Sequence, residues 1–132
     1  MVALARKMDL FSIVYVGSPE EAREMAKAGA DAIIAHVGTT VGGSIGVKNA
    51  VVSWEHTIKT TQDIINAARQ ERNDIFFLAH GGPINTPEDA ARVIQNTDAV
   101  GFVGASSLER MGVEESLTGL TRKFKTLTVP KR

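Results

Sequence analysis

Two histidines carry the chemistry that this sequence offers most plainly. His36 lies near the end of the apolar run Ala32–Val37, and His80 directly follows the run Ile75–Ala79. Glycine comes next in both places, Gly38 in the first and Gly81-Gly82 in the second. An imidazole at the end of a buried strand can exchange a proton near neutrality, polarise a carbonyl or ligate a metal. It can equally be a core side chain satisfied by backbone groups. No Asp or Glu stands at the same strand ends to complete a metal site. The cofactor therefore stays open, with a divalent metal the one candidate, and His36 and His80 read first as acid–base or carbonyl-polarising groups. His56 falls inside a helical stretch and reads as solvent-exposed.

The second chemical signal is a set of glycine- and hydroxyl-rich exits. The stretch Gly101-Phe-Val-Gly-Ala-Ser-Ser-Leu-Glu-Arg110 leaves an apolar run through Gly104, Ala105, Ser106 and Ser107. Successive backbone N–H groups ahead of a helix can form an anion nest, and glycine lets the backbone approach a ligand. Gly81 and Gly82 offer the same from the preceding run, and Gly38, Thr39 and Thr40 from the one before that. Ser44 lies in the long loop Gly38–Gly46, whose length at a ligand end suits a lid. Its glycine spacing matches neither a P-loop nor a dinucleotide fingerprint. Arg110 can pair with a carboxylate or phosphate, with Glu109 beside it. The structural readings stand next to these: a tight turn at Gly81-Gly82-Pro83, a strand terminator at Gly104, a helix cap at Ser106 and a surface ion pair at Glu109-Arg110.

Something must bring these exits together. Phe11–Val16, Ala32–Val37, Ile75–Ala79 and Ala99–Val103 read as strands. Between them lie helical stretches with start and stop signals. Ser18-Pro-Glu-Glu21 gives a cap, a proline at the first helical position and a glutamate able to close a capping box, and Gly29 ends that helix. Ser53 opens a helix to about Arg72, with Trp54, Ile58, Ile64, Ile65 and Ala68 near one face. Thr86-Pro-Glu-Asp89 repeats the cap and opens a helix to about Gln95. Residues 1–8 read as the last turns of a helix, and 113–124 as a final one. The unit also echoes itself: Ser18-Pro-Glu-Glu-Ala22 matches Thr86-Pro-Glu-Asp-Ala90, and Asp31-Ala32 matches Asp98-Ala99. Strands alternating with helices imply right-handed parallel βα units. Such a chain is either an open sheet covered on both faces or half of an eight-stranded barrel. In both, the ligand end is the C-terminal end of the strands, where all the residues singled out above collect.

Bulk properties narrow the partners. The length of 132 residues suits a single domain over 1–132, and 43% hydrophobic residues suffice for a core. Lys+Arg and Asp+Glu balance at 15 each, and aromatic residues make up 5%, which gives no electrostatic or stacking basis for binding nucleic acid or an anionic membrane. Cysteine is absent, which fits a reducing, cytoplasmic setting. No apolar run reaches the roughly 20 residues of a membrane span.

With these residues in view, the sequence resembles the phosphoenolpyruvate hydrolase-like family of TIM-barrel enzymes, and also the C-terminal part of a plant tobamovirus-resistance protein. The resemblance is carried by Ala28-Gly-Ala-Asp31, by Ala35-His36 with Gly38-Thr-Thr40 and Gly43-Ser-Ile-Gly46, by His80-Gly-Gly-Pro-Ile84 and by Gly104-Ala-Ser-Ser107 with Glu109-Arg110. It implies a parallel (βα)4 unit matching strands five to eight of a TIM barrel, closed by dimerisation or by a missing N-terminal half. It implies hydrolase or lyase chemistry on a small phosphorylated carboxylate. Partners would be that small anionic substrate and either a homo-oligomer mate or a separate N-terminal half-barrel. A non-catalytic interaction module is the alternative expectation.

Overall fold

The helix-start signals produce the caps they promise. The computed structural model describes residues 1–39, 52–105, 112–113, 116–119 and 121–122, the last three short stretches being helical. Helix α1 spans Val2–Lys7, strand β1 Ile13–Val16 and helix α2 Pro19–Ala28. The Ser18 hydroxyl accepts from the Glu21 N–H at 3.2 Å, with Pro19 at the first helical position. Glu21 does not close a standard capping box. Its carboxylate reaches one residue further back and accepts from the Gly17 N–H at 2.7 Å. At the other end Gly29 adopts φ 97°, and the Ala30 and Gly29 N–H groups return to the Met25 and Ala26 carbonyls. This is a Schellman stop, which glycine favours because it carries no Cβ.

Strand β2 spans Ala32–His36, helix α3 Trp54–Arg69, strand β3 Phe76–His80, helix α4 Pro87–Asn96 and strand β4 Gly101–Phe102. Here the full capping box does form: Thr86 accepts from the Asp89 N–H while Asp89 accepts from the Thr86 N–H. Boundaries differ from the sequence expectation in small ways. Strand β1 starts at Ile13 rather than Phe11, and β2 closes on His36 rather than Val37. Strand β3 is shifted by one so that it includes His80, and α3 ends at Arg69 rather than Arg72. Strand β4 is two residues long, although the Val100 and Val103 N–H groups still donate to the Phe77 and Ala79 carbonyls on either side of it.

The sheet order is β1-β2-β3-β4, all parallel. That order decides between the two architectures left open by the sequence. Right-handed crossovers that always advance in one direction place every helix on the same face, whereas a doubly wound sheet must reverse direction to cover both. The register separates two rows of side chains. Val14, Val16, Ile33, Ala35, Phe77, Ala79 and Phe102 share the face that joins the core with α2, α3 and α4. Fully buried Ile33, Ile64 and Ile65 centre this core, each contributing about 1.5–3 kcal/mol by burial.

The helix α3 contact stripe is not the one read from apolar residues alone. Thr57 and Thr61 are fully buried on it, whereas Ile58 is only half-buried. The Thr57 hydroxyl is satisfied by the Ser53 carbonyl at 3.0 Å. Thr61 Oγ1 has no hydrogen-bond partner among the described residues.

The opposite sheet face carries Ile13, Tyr15, Ile34, His36, Phe76, Leu78 and His80. Ile34 is buried there by its neighbours, but Ile13, Tyr15 and Phe76 are each more than half exposed. Phe11 lies 6.4 Å from Phe76, ring to ring, at the same end. In a closed barrel this row would point inward.

Candidate functional site

His36 and His80 are direct partners across the β2–β3 pairing, the last pair in that register. Their ring centroids are 5.2 Å apart, and both rings lie on the face away from the helices. Two residues earlier in register on the same face stands Tyr15, whose ring meets His36 at 6.0 Å and His80 at 5.2 Å, edge-on to both. The three rings form one cluster at the C-terminal ends of β1, β2 and β3. His80 is buried, His36 half-buried and Tyr15 half exposed.

Each histidine is held by a different kind of backbone group. The His36 Nδ1 accepts a hydrogen bond from the Gly38 N–H at 3.3 Å. An accepting nitrogen carries no proton, so the neutral His36 ring bears its proton on Nε2. The His80 Nδ1 faces the Val103 carbonyl oxygen at 2.7 Å. A carbonyl can only accept, so His80 Nδ1 is the donor and the neutral His80 ring has its lone pair on Nε2. The pair thus presents one Nε2–H donor and one Nε2 acceptor. This bookkeeping also bears on metal binding. A ligating imidazole ordinarily donates from its other nitrogen, and His36 accepts there. Among the described residues no group of three His, Cys, Asp or Glu could hold a metal ion.

The glycines of the first two exits are engaged with each other. Gly38, Gly81 and Gly82 all have positive φ, at 110°, 84° and 57°. The Gly82 N–H donates to the Gly38 carbonyl at 3.0 Å, and the Val37 N–H donates to the His80 carbonyl at 3.1 Å. These bonds continue the β2–β3 pairing past its end and hold the two exits together. The Gly82 amide is therefore already committed to the protein. Gly104 and Ala105 follow Val103, whose carbonyl anchors His80, so the fourth exit opens at the same rim. Thr39 lies beside Gly38. Thr40, Ser44, Ser106, Ser107, Glu109 and Arg110 lie outside the described residues, as does most of the Gly38–Gly46 loop. Tyr15, which the sequence puts at the exit of the first strand, is the residue the fold adds to the two histidines. Its signal was present in the two-residue offset from His36 once the strands are aligned.

A cleft of about 420 Å3 lies at the other end of the sheet, lined by Arg6, Asp9, Leu10, Phe11, Asp31, Arg72 and Asp74. Of its charged groups, Arg6, Asp31, Arg72 and Asp74 are bonded within the protein. Asp31 accepts from the Ser12 N–H and hydroxyl at 2.8 and 3.0 Å, and Arg72 bonds Asp74 and the Ala30 carbonyl. The hydrogen bonds from Ser12 hold the Asp31 carboxyl below the usual carboxylate range, and the bond from Arg72 does the same for Asp74. Networks of this kind at the N-terminal end of barrel strands tie the fold together, whereas chemistry sits at the C-terminal end.

The profile of the family described as phosphoenolpyruvate hydrolase-like matches residues 1–127. The chain belongs to the phosphoenolpyruvate hydrolase-like family. Within reach of this member are two proteins of Solanum lycopersicum, the ToMV resistance protein Tm-1(GCR237) and the ToMV susceptible protein tm-1(GCR26). Each is 45% identical over 130 residues, covering 98% of this chain. The chain spans 17% of the length of these relatives. Among solved structures, the N-acetylmannosamine-6-phosphate 2-epimerase from Clostridium perfringens superposes with a TM-score of 0.53 at 16% identity, over 90% of this chain and 47% of that one. At that identity the likeness is one of fold. The phosphoenolpyruvate hydrolase-like chain has the α/β architecture of half a TIM barrel: four parallel strands in sequential order with their helices on one face. Among its described residues no helix is long and apolar enough to cross a membrane.

Proposed function

We propose that this chain, residues 1–132 as one domain, is the C-terminal half of a TIM-barrel enzyme. It binds a small phosphorylated or carboxylate substrate at the C-terminal ends of its strands and acts on it as a hydrolase or lyase. The observation that carries this reading is the in-register pairing of His36 with His80, two imidazoles 5.2 Å apart on the barrel-inner face. The family description points to the same substrate class. In this reading the exits at Thr39-Thr40, Gly81 and Gly104–Ser107, with Ser44, hold the anion, while Gly38 and Gly82, whose N–H groups are bonded within the protein, shape the rim. Arg110 pairs a substrate carboxylate and Glu109 orients it. The exposed apolar residues Ile13, Tyr15 and Phe76 on the inner face favour closure by another half-barrel, either a second copy or an N-terminal half.

Titration calorimetry of the natively assembled protein with phosphoenolpyruvate and with inorganic phosphate tests the proposal. Binding that is lost in His36→Ala and His80→Ala, with the fold intact by circular dichroism, supports it. Heatless titrations at millimolar ligand count against it.

A second reading is favoured by the 45% identity to proteins named for virus resistance and susceptibility. In that reading the half-barrel is a non-catalytic interaction module that binds a protein partner. Alanine at His36 and His80 that leaves partner capture unchanged would favour it over the enzyme.

A further inference from the structure

The two histidines are anchored through the same ring nitrogen by backbone groups of opposite character. The Gly38 N–H fixes His36 Nδ1 as an acceptor, and the Val103 carbonyl fixes His80 Nδ1 as a donor. Each anchor comes from a rigid place. Gly38 is locked to Gly82 and Gly81, and Val103 is held by its own bond to Ala79. The tautomers are therefore built into the backbone, and the pair is asymmetric although the sequence makes its members look alike. Resting on the binding reading above, we infer that the pair divides the work of one enolisation: His80 is the base and His36 is the neutral donor to the developing oxyanion.

The chemistry follows atom by atom. His80 Nε2 takes a proton from the carbon next to a carbonyl. The C–H electron pair becomes the new C=C bond, and the carbonyl π pair moves onto oxygen. That oxygen receives the Nε2–H hydrogen bond of His36, which keeps its proton. His80 is left as imidazolium, still donating from Nδ1 to Val103, and can return a proton to the same carbon or to a leaving group. A donor prearranged where negative charge develops stabilises the transition state without reorganising. A neutral imidazole can play that part when a backbone N–H occupies its other nitrogen. The substrate class is thus a small 2-oxo acid or related carbonyl compound with a proton on the adjacent carbon. Tyr15, edge-on to both rings, is a positioning residue that limits their rotation.

Long-range proton–nitrogen NMR on the natively assembled, 15N-labelled protein at mildly alkaline pH reads the tautomers directly. Protonation of His36 at Nε2 and of His80 at Nδ1 is expected, and any other assignment overturns the inference. Deuterium exchange of the pyruvate methyl group in D2O reads the chemistry. Exchange should exceed the buffer rate and fall about a hundredfold or more in His80→Gln, which cannot take a proton. It should fall as far in His36→Ala, yet stay within about tenfold of wild type in His36→Gln, whose amide restores a donor at the ε position. Equal damage by glutamine at both positions means a shared structural role and overturns the division. With the expected tautomers, a wild-type protein that exchanges no methyl protons overturns the enolisation. Pyruvate-induced shifts of the two ring signals would in that case leave the anion-binding reading standing.

Discussion

Gly81 approaches Gly38 so closely that a Cβ built on Gly81 would lie 2.2 Å from the Gly38 carbonyl oxygen. Side chain is excluded twice over there, by the contact and by a φ of 84°. The exits of β2 and β3 can pair beyond their last ladder bond only because both residues are glycine. Gly81→Ala should therefore destabilise the fold by about 3 kcal/mol through strain and displacement of the contact. Urea unfolding checks this, and a change below about 1 kcal/mol would show that the exits separate freely.

Helix α3 gives a paired test of buried hydroxyls. Thr61 Oγ1 is buried with no partner among the described residues, while the Thr57 hydroxyl donates to the Ser53 carbonyl. Thr61→Val should be neutral or stabilising by about 1 kcal/mol, whereas Thr57→Val should cost about 1 kcal/mol. The unfolding temperature should therefore fall for Thr57→Val and hold or rise for Thr61→Val, and an equal fall in both would contradict the difference between the two hydroxyls.

Acid should weaken the N-terminal end of the sheet first. Asp31 is held ionised by the hydrogen bonds from Ser12, Asp74 chiefly by Arg72, and Asp98 by Gln62 and Arg69. Each folded carboxyl binds its proton less readily than the unfolded one. The stability it contributes is thus complete above the unfolded value of about 3.9 and is lost as pH falls through the lower folded value. Melting temperature followed from neutral pH downward should drop below about pH 4, and Asp31→Asn should be less stable at neutrality with a flatter acid limb. A parallel profile for the variant would contradict the assignment.

The barrel-inner face predicts assembly. Phe76 is 58% exposed and Ile13 55%, in one register row with Ala32 between them. Phe76→Lys should leave the helical signal intact while lowering the mass measured by light scattering toward that of a single chain. An unchanged mass would show that this face is not where the partner half sits.

Much of this arrangement is legible in the residues themselves. The caps at Ser18-Pro19, Ser53 and Thr86-Pro87 fix the helix starts, because a hydroxyl acceptor and a proline leave few alternatives. Four apolar runs fix the strands to within one or two residues at most ends. The choice between open sheet and half-barrel was legible only through the family resemblance, which implied the half-barrel, because strand order is a property of crossovers rather than of local pattern. Nor was the Gly38–Gly81 contact, made between loops far apart in sequence, or the burial of Thr57 and Thr61, which an apolar stripe conceals. The two histidines stood out as candidates at matching strand positions. Their opposite tautomers did not, because those depend on which backbone group each Nδ1 meets after folding.

In the proposed function His36 and His80 form one anion-facing site. This is tested most directly by following both imidazole ring signals by NMR while phosphoenolpyruvate is titrated into the natively assembled protein. Both rings should shift together along a single saturating curve, with the signal of exposed His56 on α3 unmoved. Saturation at one ring alone, or no movement of either at millimolar ligand, would contradict it.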